Sequence, residues 1–148
     1  MTPNIVVPQT PDPGIRAMLM DLMLAYNESR TGPSGFAPLA VVLKDEDSDE
    51  MIGGLWGRTV YEWLFIEFLF VPEHLRGRGL GARLLRAAEA TARDRGCIGV
   101  CLDTFDFNAP GFYKKFGYEA VAALETPKRG FKRHTLTKDL GTTPKRLA

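Results

Sequence analysis

The run Arg76-Gly77-Arg78-Gly79-Leu80-Gly81-Ala82 constrains the fold of this chain more than any other stretch, because of what flanks it. Before it stands Trp63-Leu64-Phe65-Ile66-Glu67-Phe68-Leu69-Phe70-Val71, an apolar run interrupted only by Glu67. After it comes Leu84-Leu85-Arg86-Ala87-Ala88-Glu89-Ala90, a helix-forming segment. A buried strand therefore turns into a helix here. Alternate glycines let the backbone approach a ligand closely, the first helical N–H groups have no partner within the helix, and the dipole there favours an anion such as a phosphate. Arg76 and Arg78 add positive charge. The same glycines also suit a tight connection that binds nothing, so the loop alone does not decide the matter.

A second segment follows in order. The helix ends at Gly96, placed as a C′ glycine, and Ile98-Gly99-Val100-Cys101-Leu102 reads as another buried strand. Next comes Asp103-Thr104-Phe105-Asp106-Phe107-Asn108-Ala109-Pro110-Gly111-Phe112-Tyr113-Lys114-Lys115-Phe116-Gly117-Tyr118. With both segments in register the chain resembles the GNAT superfamily of acyl-coenzyme A-dependent N-acyltransferases. That family's pyrophosphate loop, Arg/Gln-x-x-Gly-x-Gly/Ala, is matched by Arg76, Gly79 and Gly81. Its later Asn, Phe-Tyr and Phe-Gly-Phe/Tyr are matched by Asn108, Phe112, Tyr113, Phe116, Gly117 and Tyr118. The resemblance covers roughly Phe65 to Tyr118 and implies an α/β fold, a central mixed β-sheet flanked by helices. It also implies acetyl-coenzyme A as acyl donor.

Length and composition agree with one domain over residues 1–148, with a cofactor-binding core at 63–118 and a mobile tail at 141–148. Hydrophobic residues make up 45% of the 148. Lys plus Arg number 19 against 18 for Asp plus Glu, so overall charge gives no reason to expect a nucleic acid or an anionic membrane as partner. No apolar stretch is long enough to span a bilayer and no signal peptide opens the chain, so a cytoplasmic location is expected. Cys97 and Cys101 read as buried thiols on one strand face, neither a disulfide nor a metal pair. His74 and His134 lack ligand-like company, and no metal is assigned.

The remaining elements are read in order. Asn4 to Val7 is a short candidate strand, and Asp12-Pro13 an N-cap followed by proline at the first helical position. Ile15, Leu19, Leu22 and Tyr26, with Met18 and Met23 beside them, recur at helical spacing through about Ser29 and predict a core-packing face. Leu39 to Leu43 and Met51 to Trp56 predict two strands joined by an acidic hairpin tip, Lys44 to Glu50. The strand from Trp63 to Val71 lacks polar/apolar alternation, which predicts a central position buried on both faces. Ala120 to Leu124, a turn at Pro127 to Gly130, and Phe131 to Leu136 form a closing hairpin.

Acyl transfer to an amine needs a base to free the attacking nitrogen, donors fixed on the developing oxyanion, and an acid for the leaving thiolate. Glu67 is the leading base, its alternative being an ion pair with Arg58. Glu62, Asp103 and Asp106 are in reserve. By resemblance, Tyr113 is the general acid, against a packing role; Leu69, Phe70 and Val71 present backbone N–H groups to the pantetheine arm and acyl carbonyl. Asn108 bonds the pantetheine amides or caps a helix. Arg76, Gly77, Arg78, Gly79, Leu80, Gly81 and Ala82 hold the pyrophosphate, and Phe112 and Phe116 complete the cofactor wall.

The expected reaction moves an acetyl group from acetyl-coenzyme A to a primary amine, a small molecule by default, through a tetrahedral intermediate. Candidate acceptor-wall residues are Tyr26, Asn27, Glu28, Trp56 and Arg58, and no spacing among them encodes a substrate. Alternatives are a non-catalytic acyl-coenzyme A sensor and an acetyltransferase of protein lysines or N-termini. A Rossmann loop fails because Leu84 stands where its last glycine belongs, and a Walker loop lacks its Gly-Lys-Ser/Thr. A homodimer is a family-level expectation.

Overall fold

The computed structural model describes residues 1–108 and 110–141, and these separate into two compact units, one of Met1–Ser34 and one that starts at Gly35. The tail expected to be mobile lies, beyond Gly141, outside the described residues.

The first unit holds one helix, α1 (Pro13–Thr31). Its start follows the sequence: the Asp12 side chain accepts from the Gly14 N–H at 2.8 Å and proline occupies the first turn. At its other end Glu28 accepts from both the backbone N–H and the hydroxyl of Ser34, each at 2.8 Å. Two expectations are corrected here. Asn4 to Val7 forms no strand. The stripe of Ile15, Met18, Leu19, Leu22, Met23 and Tyr26 is exposed, at 42–65% of each residue's surface. One helix has no second element in its own unit against which to bury a face.

The second unit is a six-stranded mixed sheet in the order β1-β2-β3-β4-β6-β5, built from β1 (Ala37–Lys44), β2 (Met51–Val60), β3 (Trp63–Phe70), β4 (Gly99–Phe105), β5 (Glu119–Thr126) and β6 (Phe131–Asp139). Helix α2 (Leu80–Asp94) makes the crossover between the parallel strands β3 and β4, and the short helix α3 (Pro110–Lys114) follows β4. Leu64, Ile66, Val100, Leu102 and Leu136 point to the face covered by α2, where they join Leu85, Ala88, Ala92, Tyr113 and Tyr118 in one core. Phe65, Cys101, Asp103 and Arg133, at the alternate positions, belong to the opposite face. Among the described residues no helix is long and apolar enough to cross a membrane.

Strand β3 is where sequence expectation and structure part. Its burial is one-sided and incomplete, and Glu67 is exposed rather than buried. The cause is a bulge: Ile66 opposes Gly57 and Phe68 opposes Trp56, which leaves Glu67 without a partner on β2. A run of apolar residues on both sides of that point hides the register change. Gly57 permits it, because a Cβ there would lie 2.5 Å from the Phe65 carbonyl oxygen. The two cysteines also part: β4 begins at Gly99, so the alternation of a strand does not extend to Cys97, which sits in the core while Cys101 is half-buried.

One buried charge holds α2 to the last strand. Glu89 is 4% exposed, accepts from the Tyr118 hydroxyl at 2.6 Å, and pairs with Lys138 at 2.9 Å. Burial and the Glu89 carboxylate both push the Tyr118 phenol up, so it stays a donor. Removing one partner of a buried pair strands the other. Glu89→Ala is therefore expected to cost about 3 kcal/mol, measured as a lower chemical-denaturation midpoint at pH 7.

Candidate active site

Strands β3 and β4 pair at only four positions, from Trp63↔Gly99 to Ile66↔Leu102. Beyond them the strands diverge, so the β4-facing edge of Glu67–Phe70 is left without a ladder. The bulge at Glu67 falls at the point of divergence. A cavity of about 1110 Å³ opens in the gap and is lined from both faces of the sheet.

On the helix-covered face the wall is the glycine loop. Gly77 and Gly79 hold φ of +81° and +77°, a conformation that side chains resist. Gly79 caps α2 without any side-chain hydrogen bond, and the first turn contains no acidic residue. The first helical bond here is Arg83 N–H to the Gly79 carbonyl at 3.1 Å, so the N–H groups of Leu80, Gly81 and Ala82 precede any intrahelical acceptor. Arg76 is pinned by its Nε, which donates to the Val71 carbonyl at 2.9 Å, leaving its terminal nitrogens for the cavity it lines. Leu69, Phe70, Val71, Gly77, Gly79, Leu80, Gly81, Ala82, Asn108, Phe112 and Phe116 line the same space. Arg78 is exposed and does not line the cavity.

Tyr113 and Glu67 both line this cavity. The Tyr113 ring is buried among Phe112 and Tyr118, at centroid distances of 5.1 and 5.7 Å. Burial pushes its phenol up, so it keeps its proton at neutral pH. The reserve carboxylates are otherwise engaged. Asp103 accepts from Arg133 Nη2 and Thr135 Oγ1, both at 2.7 Å. Asp106 is held by the His134 ring and the Lys132 N–H, and these bonds lower its pKa, the first of them most. Glu62 sits in the β2–β3 turn with φ +64° and does not line the cavity.

Of the acceptor-wall candidates, Arg58 lines the cavity and Trp56, half-exposed on the same strand, does not. Tyr26 and Asn27 belong to α1 in the first unit. The anticipated Arg58–Glu67 ion pair is absent among the described residues; Arg58 instead lies over the Phe65 ring, 4.9 Å from its centroid. Phe65, Cys101, Phe105, Phe107 and Arg133 are wall residues that sequence reading missed. The alternation of Cys101, Asp103 and Phe105 along β4 was the available signal for three neighbouring positions.

A model of the acetyltransferase (GNAT) family matches residues 11–118. An acetyltransferase of Agrobacterium fabrum is 36% identical over 121 residues, 82% of this chain and 88% of the relative. The blasticidin-S acetyltransferase of Streptomyces morookaense is 45% identical over 92 residues, 62% of this chain and 68% of the relative. A crystal structure of an acetyltransferase from Bacillus cereus superposes with a TM-score of 0.73 at 29% identity, covering 90% of this chain and 97% of its own. A sheet opened between parallel strands above a glycine-capped helix, a match that spans both sequence segments, and relatives of one activity converge: the chain belongs to the GNAT family and is an acetyltransferase.

Proposed function

We propose that the protein transfers an acetyl group from acetyl-coenzyme A to a primary amine of a small molecule. The observation that carries this reading is the single cavity that joins the unspent N–H groups at the start of α2 to Glu67 and Tyr113 through the gap between β3 and β4. The residues suit that donor: helix N–H groups and Arg76 for its phosphates, an unladdered strand edge for its amides, and the aromatic Phe112 and Phe116 beside them. The similarity to an enzyme named for blasticidin S supports a small-molecule acceptor.

Acetyl-coenzyme A, when bound, supplies the thioester. Glu67, at the bulge, takes the proton from the attacking amine. The backbone N–H groups of Leu69 to Val71 receive the negative charge that develops on the acyl oxygen. Tyr113 gives its phenolic proton to the departing sulfur, and solvent returns the proton released at Glu67. Asn108 holds the amides of the arm.

Coenzyme A release measured against a panel of amines, with mass-spectrometric identification of the acetylated product, tests the proposal. Tight acetyl-coenzyme A binding without transfer to any amine would favour a non-catalytic sensor. Glu67→Gln tests the base: the acidic limb of the rate-versus-pH profile is expected to shift or vanish while coenzyme A affinity persists. An unaltered profile would pass the task to a water chain.

A further inference from the structure

Arg58 differs from three arginines of the same unit that are held by oxygens. Arg76, Arg95 and Arg133 each donate to a defined oxygen at 2.7–3.3 Å. Arg58 is half-buried, lines the cavity, and makes no ion pair or hydrogen bond to any described residue. Its guanidinium carbon lies 4.9 Å from the Phe65 ring centroid, a contact with the ring's π face that uses none of the N–H donors in a hydrogen bond to an oxygen. The negative groups nearby do not compete. Asp103 already accepts from Arg133 and Thr135, one on each oxygen, and Glu67 forms no ion pair with Arg58 among the described residues.

Register places these groups near one another. Arg58 opposes Phe65, and Glu67 lies two residues further along β3 than Phe65, a rise of about 7 Å in an extended strand. The cavity wall thus carries a guanidinium and a carboxylate on either side of the bulge, within reach of a short molecule with opposite charges at its ends. We propose that the acceptor is an amine that also carries a carboxylate, with its nitrogen at Glu67 and its carboxylate in the fork of Arg58. Arg58 is a specificity-determining residue, and its partner is a bidentate oxyanion. This rests on the transferase reading of the same cavity.

The test compares binding and turnover separately. Calorimetry on the coenzyme A-saturated protein with 4-aminobutyrate, 5-aminopentanoate and 6-aminohexanoate, each against its neutral carboxamide, is expected to show about tenfold or greater preference for at least one carboxylate. Arg58→Gln is expected to erase that preference, while Arg58→Lys, which keeps the charge without the fork, retains part of it. Equal binding of acid and amide by the native protein, binding of neither, or a preference that survives in Arg58→Gln overturns the proposal. The native comparison decides even where a variant fails to fold. Coenzyme A release with the same probes keeps the two readings apart. Preference in binding with no acetyl transfer removes the transferase reading and leaves the anion site. Transfer without preference removes only the anion site.

Discussion

Tyr113→Phe is expected to lower turnover by about 10²–10⁴-fold while leaving fold and cofactor affinity nearly unchanged. The ring packs edge-on against Phe112 and Tyr118, and phenylalanine repeats that packing. What it removes is a hydroxyl that makes no hydrogen bond to a described residue and that lies on a cavity wall. Burial keeps that hydroxyl protonated, as a donor to a departing thiolate must be. A fall in kcat with KM for acetyl-coenzyme A steady would place the loss in the transition state. An unchanged kcat would leave Tyr113 as a core aromatic and nothing more.

Gly81→Asp is expected to weaken acetyl-coenzyme A binding by about a hundredfold or more, since close like charges cost several kcal/mol. Two effects act together. A Cβ at Gly81 would lie 3.2 Å from Cζ of Phe112, forcing the aromatic wall to move. The new carboxylate would also occupy the N–H groups at the start of α2, where the donor's phosphates are proposed to bind. A carboxylate in the first turn of a helix stabilises it by a few tenths of a kcal/mol, so loss of binding is expected without loss of stability. Gly111→Ala is the control, because a Cβ there meets nothing within 4 Å. Calorimetry on both variants, with melting curves, checks the claim; native affinity in a folded Gly81→Asp protein would remove the phosphates from this loop.

What could be read in advance was the part of the molecule whose signals are local. The strand, glycine loop and helix from Trp63 to Asp94 announce themselves because burial, helix capping and positive φ each select residue types at fixed offsets. The hairpin between β5 and β6 and the Asp12-Pro13 helix start are legible for the same reason. Glu67 was visible as a candidate, but its setting was not. A bulge between two apolar stretches changes which face each residue takes without altering composition, so the expected buried carboxylate is in fact exposed at a parting of strands. The β2–β3 turn was hidden too, since Tyr61 and Glu62 adopt φ of +46° and +64° without a glycine to mark them. Glu89 stands in the sequence only as one position of a helix-forming segment, and its pairing with Lys138 spans 49 residues that no periodicity connects. Arg58, Phe105 and Arg133 come together only through the register of separate strands.

The gap between β3 and β4 separates two kinds of inheritance. Its edges are main chain, and its existence depends on where a ladder stops rather than on which side chains stand beside it. Arg58, Cys101 and Phe105 belong to the sheet face away from α2, and none contributes to the glycine loop. Substitution at these positions can therefore explore new acceptors while the passage for a common donor stays intact. A lineage built on such a sheet can diversify by editing one wall at a time, with its other half kept as a fixed fitting.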